Sequence, residues 1–388
     1  MLQRFKKIDG VIVVVLLMLM VISILSIYSV THGRDDDGLH IQMLKWYGLG
    51  FVVFFGLSLF DYRLLVKYAH YIYTLGIVIL VVVSLFGKVK YGARGWLEVG
   101  GLSVQPAELF KLILILALAA LLVRKNKNEL QFWRDVVPLG MIALLPFAIV
   151  ISQNDLGNAL SYMVILLGLL WIGRIKWSNA LIGLIVGGVA VGGFIYSYIN
   201  YHEQMTHFLS ETIGRKHFVA RFDPWLVPEL ASSDDSYQTR NAKIAIASGG
   251  LSGEGYMKGG SVQSGKIPVL YTDAIFAQIA EEFGFVGSAL LLLLFFILIH
   301  RMILIALECR DRAGPYLIIG IVAMLLYQIL ENIGAYIGLM PLTGITLPFI
   351  SYGGTSVLIN MASMGIAMSV LLYGQDVEED LPAPTVHF

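Results

Sequence analysis

Residues 11–30 read VIVVVLLMLMVISILSIYSV, twenty positions without a single charge. About 20 apolar residues, rising 1.5 Å each, cross the hydrocarbon core of a bilayer, so this stretch is long enough to span it. Cationic residues precede it, as in a secretory leader. The run is longer than a usual leader core, however, and lacks a small-x-small cleavage site, so a retained first transmembrane helix is expected. Outward from it, comparable apolar runs recur at 44–60, 71–85, 107–123, 136–151, 157–172, 180–198, 286–306, 316–337 and 354–372. That makes about ten spans, with both termini on one side. The expected fold is an all-α polytopic membrane protein. Residues 1–375 form one integral membrane domain, followed by a short tail at 376–388. The tail's acidic run Asp376-Val377-Glu378-Glu379-Asp380, with Pro382 and Pro384, has the composition of disorder.

The whole chain agrees with its first span. Of 388 residues 57% are hydrophobic and only 14% charged, with mean hydropathy +0.76. Soluble domains are about a quarter charged, so the solvent here is mostly lipid. Lys and Arg number 27, as do Asp and Glu, and a net charge of zero argues against nucleic acid as a partner. Cys309 is the single cysteine, which excludes a disulfide framework and a cysteine-built zinc site. His32, His40, His70, His202, His207, His217, His300 and His387 show no metal-binding spacing.

Lysine and arginine in short loops orient such a bundle, the richer side being cytoplasmic. One set holds Arg4, Lys6, Lys7, Arg63, Lys67, Arg124, Lys125, Lys127, Arg134, Arg174, Lys176, Arg310 and Arg312. The other short loops hold chiefly Arg34, Lys88, Lys90 and Arg94. Both termini are therefore expected in the cytoplasm. The long hydrophilic segment 200–278, between the seventh and eighth spans, is expected outside it. Within that segment the pattern predicts an amphipathic interfacial helix at 210–222, broken by Asp223-Pro224-Trp225. A second helix is expected at 236–247, ended by Gly249-Gly250, and Gly253, Gly255, Gly259 and Gly260 then read as a flexible stretch of exposed backbone. No long internal repeat supports an inverted-repeat transporter plan.

Ionisable residues in or beside the spans point to function, because a charge in lipid is costly. Glu108 and Lys111, three apart at the start of the fourth span, share one helix face. They suit either a neutralised pair tying helices together or the wall of a cavity for an anionic or sugar headgroup. Asp155, in the turn Gln153-Asn154-Asp155-Leu156-Gly157, is placed to cap the sixth span. Glu331 and Asn332 lie inside the ninth span, where helix-to-helix hydrogen bonds would satisfy them. Asp273 falls where the hydrophilic segment returns to the membrane, in 261–287, SVQSGKIPVLYTDAIFAQIAEEFGFVG. A carboxylate beside a wet cavity there holds a raised pKa and serves as a general base; a helix cap is the plainer alternative. Glu281 and Glu282 suit interfacial solubilising charges.

In order along nearly the whole chain, these residues resemble the SEDS family (shape, elongation, division and sporulation), the peptidoglycan polymerases of the RodA, FtsW and SpoVE type. Gly92-Ala93-Arg94-Gly95-Trp96, Ser103-Val104-Gln105-Pro106-Ala107-Glu108 and Lys111 are similar to the family's G-A-x-R-W…Q-P-[SA]-E…K block. The 153–157 turn is similar to its Q-P-D-x-G. Arg221-Phe222-Asp223-Pro224, Tyr237-Gln238 and Ile246-Ala247-Ser248-Gly249-Gly250 follow its large-loop pattern. Thr272-Asp273-x-Ile275-Phe276-Ala277 with Glu281-Glu282-x-Gly284 resembles T-D-F-I-F-A…E-E-x-G. Gly338-Leu339-Met340-Pro341-Leu342-Thr343-Gly344 and Leu347-Pro348-Phe349-Ile350-Ser351-Tyr352-Gly353-Gly354 look like its closing motif. Tyr271 and Ala274 stand where the family has histidine and phenylalanine, Gly95 where an arginine precedes tryptophan, and Asn154 where it has proline.

The resemblance implies a glycosyltransferase that polymerises lipid II, the undecaprenyl-pyrophosphoryl disaccharide-pentapeptide. Asp273 matches its catalytic aspartate, and would deprotonate the acceptor's GlcNAc 4-hydroxyl. The substrate-binding set implied is Glu108, Lys111, Arg94, Asp155, Arg221, Gln238, Lys243, Gln263, Lys266 and Ser351. Arg221, Lys243, Lys111 and Arg94 are the cations for the leaving pyrophosphate, aided by a divalent cation, Mg2+ or Mn2+. The 249–260 glycines would bring backbone N–H groups to phosphate or sugar. Also implied are a class B penicillin-binding protein as partner, other elongasome or divisome membrane proteins, and a place in the bacterial cytoplasmic membrane with the active site on its outer face. The short ends lean toward elongation. A lipid II flippase would share the polar cavity but need no outer base, and a scaffold would need none of Asp273, Glu108 and Lys111.

Overall fold

The computed structural model describes residues 8–34, 36–90, 93–99, 102–125, 129–212, 214–267 and 270–375. Arg4, Lys6, Lys7, Gly92, Lys127 and the 376–388 tail lie outside the described residues.

Among the described residues, nine helices are long and apolar enough to cross a membrane, as the hydrophobic runs require. In chain order the spanning and shorter helices begin with α1 (Gly10–Thr31), α2 (Leu39–Leu59), α3 (Tyr62–Lys67), α4 (Ala69–Phe86) and α5 (Pro106–Val123). A π-helical turn, Phe132–Val136, leads into α6 (Val137–Ser152). Then come α7 (Leu156–Ile172), α8 (Trp177–Asn200), α9 (His202–His207), α10 (Lys216–Leu226), α11 (Ser233–Ser248) and α12 (Gly260–Gln263). The chain closes with α13 (Ile275–Glu308), α14 (Ala313–Ile337) and α15 (Gly354–Tyr373). Helix α7 is a tenth apolar helix of 17 residues. At 1.5 Å per residue it is about 25 Å long, close to the thickness of a hydrocarbon core.

Local sequence sets the helix ends. Asp9 caps α1, its Oδ1 accepting Val11 N–H at 2.9 Å and Ile12 N–H at 3.1 Å. Pro106 opens α5, where its missing N–H is no loss. Gly338, at φ 89°, terminates α14 in the left-handed conformation that glycine adopts without strain.

The centre of the bundle is made by α5, α14 and α15, whose apolar windows are mostly buried. Helix α15 lies along α2, while α14 packs on α7, α5 and α13. Helix α8 is the opposite case: none of its apolar window is buried, which suits a helix facing lipid on every side.

The ends of the bundle differ. At one end, Asp9 N–H meets Met368 Sδ at 3.4 Å, the Arg63 guanidinium reaches Tyr373 C=O at 2.7 Å, and that of Arg312 reaches Lys125 C=O at 2.7 Å. The cationic loops and both described chain ends therefore gather there. At the other end lie the segment after α8 and a feature absent from the all-α expectation. This is an antiparallel meander of β1 (Lys88–Lys90), β2 (Ala93–Val99) and β3 (Leu102–Val104), anchored by Arg94 N–H to Gln153 C=O at 2.9 Å.

Three expectations for the long segment need correction. Helix α10 runs through Asp223-Pro224 to Leu226 instead of breaking there. Pro224 lacks the N–H that would reach Ala220 C=O and its ring crowds that carbonyl, and the helix runs only two residues past it. The eighth span, which follows this segment, is not confined to 286–306: α13 begins at Ile275 and is interrupted at Gly284, φ 63°, ψ −158°. Finally, the 249–260 stretch is not free backbone. It docks into the Gly284 break, with Glu254 N–H donating to Glu281 C=O at 2.9 Å and Gly255 N–H to Glu282 C=O at 3.0 Å. Phe285 N–H and Val286 N–H donate back to Gly250 C=O and Leu251 C=O at 2.9 and 3.1 Å. The carbonyls and N–H groups freed by the break are thus satisfied by a loop, as buried backbone requires.

Candidate active site

Asp273 sits in the turn just before α13 and is partly exposed. The Thr272 hydroxyl donates to its Oδ1 at 3.0 Å, and the Tyr336 hydroxyl of α14 also hydrogen-bonds to the carboxyl. Burial lifts this carboxyl above the usual aspartate value, and the two hydroxyls offset part of the rise. Gly344 leaves room beside it: a Cβ there would stand 3.9 Å from Oδ2.

Asp273 does not stand alone. Arg221 of α10 feels the charges of Asp155, Glu331 and Asp273, while burial pulls its own value down. Its Nη1 is buried without a hydrogen-bond partner. Asp155 caps α7, accepting Asn158 N–H at 3.1 Å, as its place in the turn suggested. It also accepts Asn158 Nδ2 at 2.9 Å and Gln105 Nε2 at 2.7 Å. Burial, with the nearby Glu108, raises its carboxyl, and Asn158 and Arg221 oppose the rise. Glu108 is buried and paired with the wholly buried Lys111 at 2.7 Å. Glu108, Lys111, Asp155, Arg221 and Asp273 therefore lie within the range of one another's charges and make one polar centre.

The other residues expected at the site fall into two groups. Lys243 lines a cavity of about 30 Å³ with Arg221, Thr239 and Gly338, so both cations face one small space. Gln238 Nε2 donates to Tyr336 Oη at 3.0 Å, which places it behind Asp273. Arg94 is an exposed residue of β2, and Gln263 and Lys266 are exposed around the end of α12. Ser351 is buried, with its Oγ accepting Leu347 N–H at 2.8 Å inside the closing loop.

The glycine-rich cradle expected for phosphate is a correction. Beyond the bonds across the Gly284 break, Gly260 N–H is taken by Glu254 Oε2 at 2.8 Å. Ser261 and Val262 N–H are taken by Glu281 at 2.8 and 2.9 Å. Glu281 and Glu282 are buried, not interfacial: Glu282 accepts the Ser29 hydroxyl and Gln278 Nε2, the latter at 2.7 Å.

Four residues at the centre were not assigned to it from sequence: Gln105, Glu331, Asn332 and Tyr336. Their signal was present for Glu331 and Asn332, as polar groups in an apolar span, and for Gln105 as a neighbour of Glu108. Tyr336 had none, since a tyrosine near a span end is ordinary. Among the described residues no three His, Cys, Asp or Glu side chains gather as a metal site. Asp155, Glu331 and Asp273 lie in the field of the Arg221 charge. A resident, protein-only metal cage does not fit these residues.

Taken together, a helical bundle with nine helices of membrane-spanning length among its described residues, and a polar centre at one end, defines a multi-pass membrane protein with one candidate site. The FtsW/RodA/SpoVE family model, described as "Cell cycle protein", matches residues 7–375, and the chain belongs to that family. It is 32% identical over 376 residues to stage V sporulation protein E of Bacillus subtilis, covering 95% of this chain and 98% of that one. It is likewise 32% identical over 371 residues to the peptidoglycan glycosyltransferase MrdB of Escherichia coli, covering 94% and 93%. Among solved structures, one from a peptidoglycan synthase complex studied for the coordination of polymerization and crosslinking aligns with TM-score 0.78 at 26% identity, covering 95% of this chain and 99% of that one. The Thermus thermophilus rod shape determining protein RodA aligns with TM-score 0.68 at 25% identity, covering 95% and 98%.

Proposed function

We propose that this chain is an inverting peptidoglycan glycosyltransferase that polymerises lipid II into β-1,4-linked glycan. Asp273 takes the proton of the acceptor's GlcNAc 4-hydroxyl. The freed oxygen attacks C1 of the donor's MurNAc, forming the β bond, and undecaprenyl pyrophosphate leaves with the electron pair of the broken α bond. A sugar hydroxyl is a poor nucleophile at neutral pH, and a positioned base contributes about 10²–10⁴-fold. Arg221 and Lys243, sharing one cavity, supply charge for the departing pyrophosphate. The observation that carries this reading is Asp273, partly exposed and holding a raised pKa, in the field of an Arg221 with an unused Nη1.

The site lies at the end of the bundle opposite the cationic loops, which supports a cytoplasmic membrane protein working on its outer face. A class B penicillin-binding protein is the proposed partner, supported by the synthase complex of similar fold. A required Mg2+ or Mn2+ would arrive with the substrate's phosphates and use at most one or two protein carboxylates, so chelation by EDTA should stop polymerisation.

The test is to purify the chain with its penicillin-binding protein, add lipid II and divalent cation, and follow glycan polymer on a gel. Wild type is expected to polymerise and Asp273→Asn to make none while remaining folded. Equal polymer from both removes Asp273 as the base. No polymer from either, with the partner bound, favours a flippase or scaffold instead.

A further inference from the structure

We infer that Asn332 is a positioning residue for the reaction, holding the backbone of Asp273 so that its carboxylate meets the acceptor hydroxyl; this rests on Asp273 being the base. Asn332 is 1% exposed. Its Nδ2 donates to Asp273 C=O at 2.6 Å and to Ile345 C=O at 2.7 Å. Two carbonyl acceptors can be met only by the two hydrogens of the amide nitrogen, so the orientation of the side chain is fixed by chemistry.

The surroundings make this more than helix-to-helix glue. Asp273 lies in a turn, without the repeating hydrogen bonds that fix a residue within a helix or sheet. Thr272 and the local N–H groups reach only its carboxyl, and what holds its backbone comes from elsewhere. Two residues earlier, Tyr271 C=O accepts Tyr352 N–H at 2.8 Å. Asn332 holds Asp273's own carbonyl, and one turn further along α14, Tyr336 meets its carboxyl. Positions 332 and 336 share a helix face, so α14 grips the backbone and side chain of one residue with one stripe. The preceding residue, Glu331, accepts Thr343 N–H at 3.2 Å and the Thr343 hydroxyl. That pins the loop whose Ile345 shares the Asn332 amide. A rigid helix thereby locates the base against the Gly344 side of its pocket, and a shift of about 1 Å in such a group can cost about 10²-fold in rate.

The test uses the full chain with its penicillin-binding protein and lipid II. Asn332→Leu keeps the size and removes both donors. Turnover at saturating lipid II is expected to fall about 10- to 100-fold, with the Michaelis constant within about threefold of wild type. Asn332→Asp donates one hydrogen bond only when protonated, so its rate relative to wild type should climb as pH falls. Wild-type turnover in Asn332→Leu, or a loss wholly in the Michaelis constant, overturns the proposal. If Asn332→Leu does not fold, a rate ratio for Asn332→Asp that is flat with pH overturns it instead. Failure of the underlying base assignment reads differently: Asp273→Asn would then polymerise, whereas an inactive Asp273→Asn beside a fully active Asn332→Leu removes the positioning role alone.

Discussion

Lys111 Nζ lies 2.7 Å from Glu108 Oε2, three residues away on α5, and the lysine side chain is wholly buried. Removing one partner of such a pair strands a charge and costs about 3–5 kcal/mol, while replacing both with neutral groups is often harmless to stability. Glu108→Gln and Lys111→Met should each lower the unfolding temperature in detergent, and the double variant should recover it. Polymerisation separates the pair's two possible roles. The charge of Glu108 also acts on Asp155, whose charge acts on Arg221, so the double variant is expected to stay about tenfold or more below wild type. Recovery of activity along with stability would mean that the pair only ties helices together.

The raised pKa of Asp273 sets opposite demands on activity and stability. A base works deprotonated, so the acid limb of kcat/KM should fall at a higher pH than the ordinary aspartate value of 3.8 would give. The folded chain holds this proton more tightly than the unfolded chain does. Stability from this group is therefore full below 3.8 and is lost as pH rises through the raised value. Asp273→Asn never ionises. It should unfold at a higher temperature than wild type at pH 8, with the gap closing toward pH 4. A gap independent of pH would show that burial does not strain this carboxylate.

The spans, the Asp155 cap and the place of Asp273 just before a helix were legible in the sequence because each rests on a local rule: apolar length, a turn before a helix, a carboxylate at a boundary. What was not legible depends on pairings across long chain separations. The Gly284 break was not read from the sequence, since nothing local announces that residues 250–255 will fill it. Asn154 stood out as a departure from the family's proline, and the structure explains it. The residue sits at φ 67°, which proline's ring forbids and asparagine tolerates, and its Oδ1 accepts from the Arg215 guanidinium. The change exchanges a stiff turn for a tether to the chain just before α10.

The seam at the Gly284 break gives a sharp contrast among glycines. A Cβ on Gly249 would stand 1.9 Å from Ala280 C=O, and one on Gly253, at φ 78°, 2.2 Å from Glu282 C=O. Gly249→Ala and Gly253→Ala should each destabilise by about 1–3 kcal/mol and reduce polymerisation, because the seam carries the segment that begins just after Asp273. Gly188→Ala in α8 meets nothing within 4 Å. In a helix interior that change should be neutral or stabilising by up to about 1 kcal/mol. Thermal unfolding of the three variants side by side checks the ranking, and equal behaviour would count against the packed seam.

Tyr198 and Asp223 couple the lipid-facing helix to the site. The Tyr198 hydroxyl, in the last turn of α8, donates to Asp223 Oδ1 of α10, and His202 Nε2 stands 3.9 Å from the same oxygen. Phe194 and Phe222 pack edge to face beside them at 5.3 Å. Since α8 buries none of its apolar window, this junction is a main link between it and α10, which carries Arg221 two residues before Asp223. Asp223→Ala leaves a buried hydroxyl without its acceptor, at about 1–3 kcal/mol, and Tyr198→Phe removes the donor. If the hydrogen bond acts by holding α10 in place, both single variants should lower polymerisation to a similar level, and the double variant no further. In stability, the cycle should return a coupling of about 0.5–3 kcal/mol. Losses that simply add would mean that each residue serves the protein separately, and α10 would need another anchor.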